Sequence, residues 1–158
     1  MTGTLDTVPS EPGFINWIYT IMGVPSNVLE TTSPYINMAY DISLETVNLY
    51  LDLASPILYT QACYNLGGDI LCNMVQDDST LSPPENTYWQ DLRSSFNLNT
   101  FIPGIINAAN DEDTSAASFV PLNMQNLTIS DLQNLKTPWG RMYLSIAQSV
   151  GTMWGLTV

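Results

Sequence analysis

Two proline signals, Pro56 and the pair Pro83-Pro84, bracket the stretch that most limits how this chain can fold. Ser55 can cap a helix whose first residue is Pro56, where the missing N–H would have gone unpaired anyway. Downstream, Leu58, Ala62, Cys63, Leu66, Ile70, Met74 and Val75 recur at spacings near three and four and fall on one face. Asp77, Asp78, Ser79 and Thr80 end the apolar pattern, and Pro83-Pro84 forbids continuation. The spacing predicts one long central helix from Ser55 to Asp78, roughly 35 Å at 1.5 Å per residue. Gly67-Gly68 sits mid-span, and each glycine costs about 1 kcal/mol relative to alanine. Close packing against the glycines is the favoured reason for them, a kink or hinge the other.

Shorter helices fit around this spine. Pro12 opens a first one, with Phe14, Ile15, Trp17, Ile18, Ile21 and Met22 as its apolar stripe, and Gly23-Val24-Pro25 stops it. That stripe reads as core or subunit interface, with interface preferred because Trp and Tyr concentrate there. Ser33-Pro34 repeats the serine-then-proline start for a helix to Tyr40, and Leu44, Val47 and Leu51 continue the pattern after a short joint. Pro83-Pro84-Glu85 begins another helix through Asn97, in which Arg93 can meet Trp89 or Asn97. Residues 100–123 change character and are expected to form a loop or irregular β-hairpin arm. A capping box at Ser130 predicts a short helix to Lys136. Thr137-Pro138 starts a last helix with Trp139, Met142, Tyr143, Ile146 and Ala147 on one face, ended by Gly151. The fold class is mostly α: a single domain over 1–158, a helical bundle around one long central helix, with that arm and an extended tail at 152–158.

Composition narrows the function. The chain has 158 residues, of which 45% are apolar and only 11% charged, and Ser, Thr, Asn and Gln supply fifty. So few charges with so many aromatic and Met side chains suits a surface covered by neighbouring subunits, and equally a monomer with a neutral polar surface. The net charge is −12 and unevenly placed, with eleven acids and no Lys or Arg through Leu92. Such a chain lacks the basic stripe that displaces counterions from phosphates. It can surround DNA without gripping it, because like charge lets a polyanion slide. Histidine is absent, which excludes Ser-His-Asp and Cys-His nucleophiles and histidine metal sites. Cys63 and Cys72 lie about 13 Å apart along the spine, beyond the roughly 7 Å limit for a disulfide, and read as buried thiols of a reducing compartment. Residues 1–10 carry no basic or apolar leader pattern, and no apolar run reaches membrane-spanning length, so neither a signal peptide nor a membrane partner is expected.

The remaining constellations are weak. Asn110, Asp111, Glu112 and Asp113 cluster oxygens but lack the glycine and terminal glutamate of a calcium loop. Asp113-Thr114-Ser115 has serine where the aspartic-protease turn needs glycine, and no carboxylate pair for glycoside hydrolysis can be placed. Asn126-Leu127-Thr128 is a glycosylation sequon without an export signal. Lys136 and Arg141, two of the three bases, read either as partners of carboxylates on this chain or a neighbour, or as surface bases near Trp139. No enzyme, cofactor or metal is expected. An alternative remains open: a small acidic regulatory or binding protein that recognises a basic partner through its N-terminal acids.

Several segments resemble one family. They are Tyr64-Asn65-Leu66-Gly67-Gly68-Asp69, Phe101-Ile102-Pro103-Gly104, Asp113-Thr114-Ser115, the run from Leu132 to Arg141, and Trp154-Gly155-Leu156-Thr157. Together they are similar to the head-to-tail connector (adaptor) proteins of tailed bacteriophages. The resemblance implies a structural virion protein at the neck, assembled in the cytoplasm of a host bacterium. It implies a homo-oligomeric ring, commonly of twelve subunits, that binds the portal protein and offers a face to the next neck or tail protein. DNA would pass through its lumen as non-specific cargo. The interface residues expected on this reading are Phe101, Ile102, Phe119, Trp139, Arg141, Met153, Trp154 and Leu156, with Trp139 and Trp154 as aromatic anchors.

Overall fold

A computed structural model of the chain describes residues 7–99, 108–111, 114–117 and 136–149. The protein is mostly helical. Helix α1 (Glu11–Trp17) runs directly into a π-helical turn at Ile18–Met22, which Gly23 ends in the left-handed region at φ 76°. Then follow α2 (Pro34–Thr46), α3 (Tyr50–Ala54), α4 (Pro56–Met74), a 3₁₀ turn at Glu85–Thr87, α5 (Tyr88–Ser95) and α6 (Pro138–Ser149). Between the last two, strand β1 (Ala108–Asp111) pairs antiparallel with β2 (Thr114–Ala117), Ala108 opposite Ala117 and Asp111 opposite Thr114. The rest of the expected arm, the short helix before Lys136 and the tail lie outside the described residues.

The central helix is α4, and it starts as its sequence requires. Ser55 is extended, Pro56 is the first helical residue, and the Ser55 hydroxyl accepts from the Leu58 N–H at 3.4 Å. Two expectations about it need correction. It ends at Met74, four residues before Asp78, because the chain turns extended at Val75 and Asp77 is taken to start the next helix. It also does not bury one face alone. Every residue from Ala62 to Asp69 is buried, while Leu58, Ile70 and Met74 of the expected face are only half covered. The cause is its position: α2 packs along one side of α4 and α6 along another. A helix with neighbours on several sides loses the single-stripe pattern of a surface helix.

The glycine pair is explained by α1. A Cβ on Gly67 would lie 2.7 Å from Cζ of Phe14, and one on Gly68 would lie 2.8 Å from Cζ3 of Trp17. The two rings occupy the space those side chains would have filled, so the glycines serve close packing. Phe14 is wholly buried and sits 5.7 Å from both Tyr40 and Tyr64, ring centre to ring centre, and 6.2 Å from Trp17. Such aromatic contacts contribute beyond their buried area. The start of α1 is held to α4 twice over. The Ser10 N–H donates to the Tyr64 hydroxyl at 3.1 Å, and that hydroxyl donates to the Ser10 carbonyl at 3.2 Å. The α1 stripe is therefore core, not interface. Phe14, Trp17, Ile18 and Met22 are buried within the chain, and Ile21 alone among the large stripe residues stays 66% exposed.

Other joints differ in detail from expectation. Helix α2 does not pause at Tyr40 but continues to Thr46, and the break falls at Val47, which is extended. Nothing in residues 41–46 breaks a helix, and Ser43, fully buried, satisfies its hydroxyl on the Tyr40 carbonyl. Helix α5 begins at Tyr88, three residues later than Glu85, and stops at Ser95, before Asn97 at φ 54°. Its cap comes from a distance. The Asp77 carboxylate accepts the N–H groups of Trp89 at 2.7 Å and Gln90 at 2.9 Å. Arg93 meets neither Trp89 nor Asn97. Its Nη1 donates to the carbonyls of Val75 (2.7 Å) and Cys72 (3.2 Å), and Nη2 lies 3.6 Å from Asp77. One residue thus satisfies the C-terminal carbonyls of α4 while Asp77 satisfies the N-terminal donors of α5. Arg93→Ala is expected to lower the unfolding free energy by about 1.5–3 kcal/mol, since hydrogen bonds to a charged group are lost. Urea titration of the purified variant measures it.

Candidate interaction surfaces

Four surfaces can be built from the described residues. The first is electrostatic. From residue 7 to residue 99 there are ten acids and one base. That base, Arg93, is turned onto α4 and Asp77. Asp69 is buried at 4% exposure, and Glu11, Glu30, Asp41, Glu45, Asp78 and Asp91 are exposed. Within residues 7–99 the exposed carboxylates are therefore not matched by an outward base from the same stretch.

The second surface is aliphatic. On α3 and its approach, Leu49 is 69% exposed, Tyr50 65% and Leu53 79%; Ile57, at the start of α4, is 38%. Leu49 and Leu53 are four residues apart and so share a face. Helix α3 needs only Leu51 to hold it to the core, fully buried on the other side. On α2, Met38 and Ile42 are likewise four apart and exposed. A lone exposed leucine is ordinary, but several large apolar side chains on one short segment mark a contact surface.

The third surface is a groove of about 480 Å³ between the turn at Pro25 and the outer face of α5. Tyr88, Asp91, Leu92 and Ser95 recur along one side of that helix and form the floor, with Pro25, Pro84 and Glu85 as walls. The lining is apolar except for the two carboxylates and the serine. Asn27 reaches Glu85 at 3.4 Å and Thr87 donates to Asp91 at 3.0 Å. These contacts orient the carboxylates without neutralising them. Nothing in the sequence pattern pointed here, because Pro25 and Tyr88 are brought together only by the fold.

The fourth is α6, which carries two of the expected interface residues. Arg141 is exposed. Trp139 is half-buried and engaged by its own chain, edge-on to Phe96 at 5.6 Å and against the Gly68 backbone. Phe101, Ile102, Phe119, Met153, Trp154 and Leu156 lie outside the described residues. Helix α6 is locked to α4 through a buried polar contact. Thr137 donates to the Asp69 carboxylate and, with the same oxygen, accepts the Gly140 N–H at 2.9 Å as the helix cap. Burial raises the Asp69 pKa to about 6, a rise that the Thr137 hydrogen bond partly opposes.

No protein-family model, curated protein or solved structure matches this chain. Function must therefore be argued from its own surfaces. Among the described residues no three His, Cys, Asp or Glu side chains are placed to hold a metal ion, and no helix is long and apolar enough to cross a membrane. Cys63 and Cys72 are both buried and unpaired with each other, and burial pushes each thiol up to about 12. Thiolate is the reactive form. A thiol-specific chromogenic reagent is expected to label the native protein at under about a hundredth of the rate seen in denaturant; fast native labelling would contradict the buried placement.

Proposed function

We propose that this chain is a structural subunit that works by assembly, a homo-oligomeric ring at the head–tail junction of a tailed bacteriophage. In this reading it docks on the portal protein, offers its other side to the next neck or tail protein, and surrounds passing DNA with like charge. The family reading comes from the resemblance. The observation that carries self-assembly is the aliphatic surface of α3, with Leu53 exposed to 79% beside Leu49 and Tyr50. Burying each leucine against another copy would contribute about 1.5–3 kcal/mol. The carboxylate-dominated exterior suits a channel that DNA does not adhere to.

Light scattering of the purified protein should give an oligomer, electron microscopy a ring, and mixing with purified portal a joint complex. Leu49→Ser with Leu53→Ser should shift the mass to that of a monomer while leaving the helical circular-dichroism signal intact. A wild-type chain that stays monomeric at high concentration and ignores portal defeats the proposal.

A second reading is a small acidic protein that binds a basic partner, supported by the absence of an outward base from residue 7 to residue 99. It requires salt-sensitive binding by a monomer or dimer. Removing residues 152–158 should leave such binding unchanged, whereas the connector reading gives that tail a docking role.

A further inference from the structure

The groove along α5 combines two properties. It is apolar, with the rings of Pro25, Pro84 and Tyr88 and the side chain of Leu92, and it carries two carboxylates, Glu85 and Asp91. At about 480 Å³ it exceeds the roughly 300 Å³ at which ligand clefts begin. Proline and tyrosine surfaces of this kind suit an extended backbone, whose low flexibility limits the entropy lost on docking. The two acids favour a cationic occupant.

The chain is poor in cations of its own. It has three Lys and Arg residues in all. Arg93 is bonded to Val75, Cys72 and Asp77, and Lys136 and Arg141 each already interact within the chain. A second copy would moreover bring a net charge of −12. Nucleic acid would be repelled by the same carboxylates.

We propose that this groove docks an extended basic segment of a different protein, one apolar side chain seated between Pro25, Tyr88 and Leu92 and a Lys or Arg beside it facing Glu85 and Asp91. The inference goes beyond the assembly reading and does not depend on it, since it uses neither the α3 face nor a ring.

The probe is a synthetic peptide, acetyl-Lys-Leu-Pro-Lys-Leu-Pro-Lys-amide, titrated into the isotopically labelled full chain and followed by amide NMR shifts. Shifts should cluster on residues 25–29 and 84–95 and weaken as salt is raised from about 20 to about 300 mM. Glu85→Gln with Asp91→Asn, which keeps size and shape, should weaken binding about five- to tenfold. Leu92→Ala should weaken it by a similar factor; if that variant does not fold, the carboxamide pair, which keeps the shape of both side chains, decides. The same peptide with Glu in place of Lys should not bind. Equal binding of the Glu peptide, equal binding of spermine, shifts centred elsewhere, or unchanged affinity in the carboxamide variant would each overturn the proposal.

Discussion

Phe14→Ala should lower the unfolding free energy by about 3–5 kcal/mol, the range for emptying a large buried aromatic site. Phe14 has no solvent exposure and is surrounded by Trp17, Tyr40, Tyr64 and the Gly67 backbone. Those groups belong to three different helices, so the site cannot collapse without moving all of them. A sharper result follows from Gly67. In the wild-type background Gly67→Ala forces a methyl to within 2.7 Å of the Phe14 ring, and overpacking of this kind costs about 1–3 kcal/mol. In the Phe14→Ala background the ring is gone. There the same change should stabilise the chain by about 1 kcal/mol, the helix-propensity difference between alanine and glycine. The sign reversal, read from denaturant titrations of the four proteins, isolates the contact. If Gly67→Ala is neutral or stabilising in both backgrounds, the glycine is not reserved for the ring.

The second large effect concerns pH. Asp69 titrates near 3.8 when the chain is unfolded and at about 6 when it is folded, chiefly because burial disfavours its charge. Between those values the folded chain holds more proton than the unfolded one. Stability contributed by the protonated group is therefore complete below pH 4 and lost as pH rises through 6. The difference amounts to roughly 3 kcal/mol at 1.4 kcal/mol per pH unit. Neighbouring groups set the background: Cys72 on the same helix lies within electrostatic reach of Asp69, and Thr137 supplies the hydrogen bond. Asp69→Asn should flatten the stability profile between pH 4 and pH 6.5 relative to wild type. Thr137→Val should cost about 2–4 kcal/mol at pH 7.5, where the carboxylate loses its donor and α6 its cap. It should cost less at pH 4.5. An identical slope in wild type and Asp69→Asn would show that this carboxyl does not titrate in the window.

The helices were legible wherever a local rule dominates. Ser55-Pro56, Ser33-Pro34 and Thr137-Pro138 each mark a helix start that the structure keeps, and Gly23 marks a stop. The end of α4 was not legible, because Asp77 is claimed by α5 twelve residues on, a demand that no local pattern records. Where the aromatic rings go was legible only in part. Trp17 and Trp89 are buried in this chain and Trp139 is half-buried. Composition counts aromatic side chains but does not say which surface covers them. Much of the exposed apolar surface lies on Leu49, Tyr50 and Leu53, where the apolar residues stand at 49, 50, 51 and 53 and only the fold shows which of them faces inward. The α5 groove was invisible for the same reason, since Pro25 and Leu92 meet only in three dimensions.

Gly67, Gly68 and Asp69 are consecutive, and between them they receive Phe14 and Trp17 from the first helix and Trp139 and Thr137 from the last. A single turn of α4 therefore carries contacts from both the first and the last described helix, so a change at that turn is expected to loosen both helices at once.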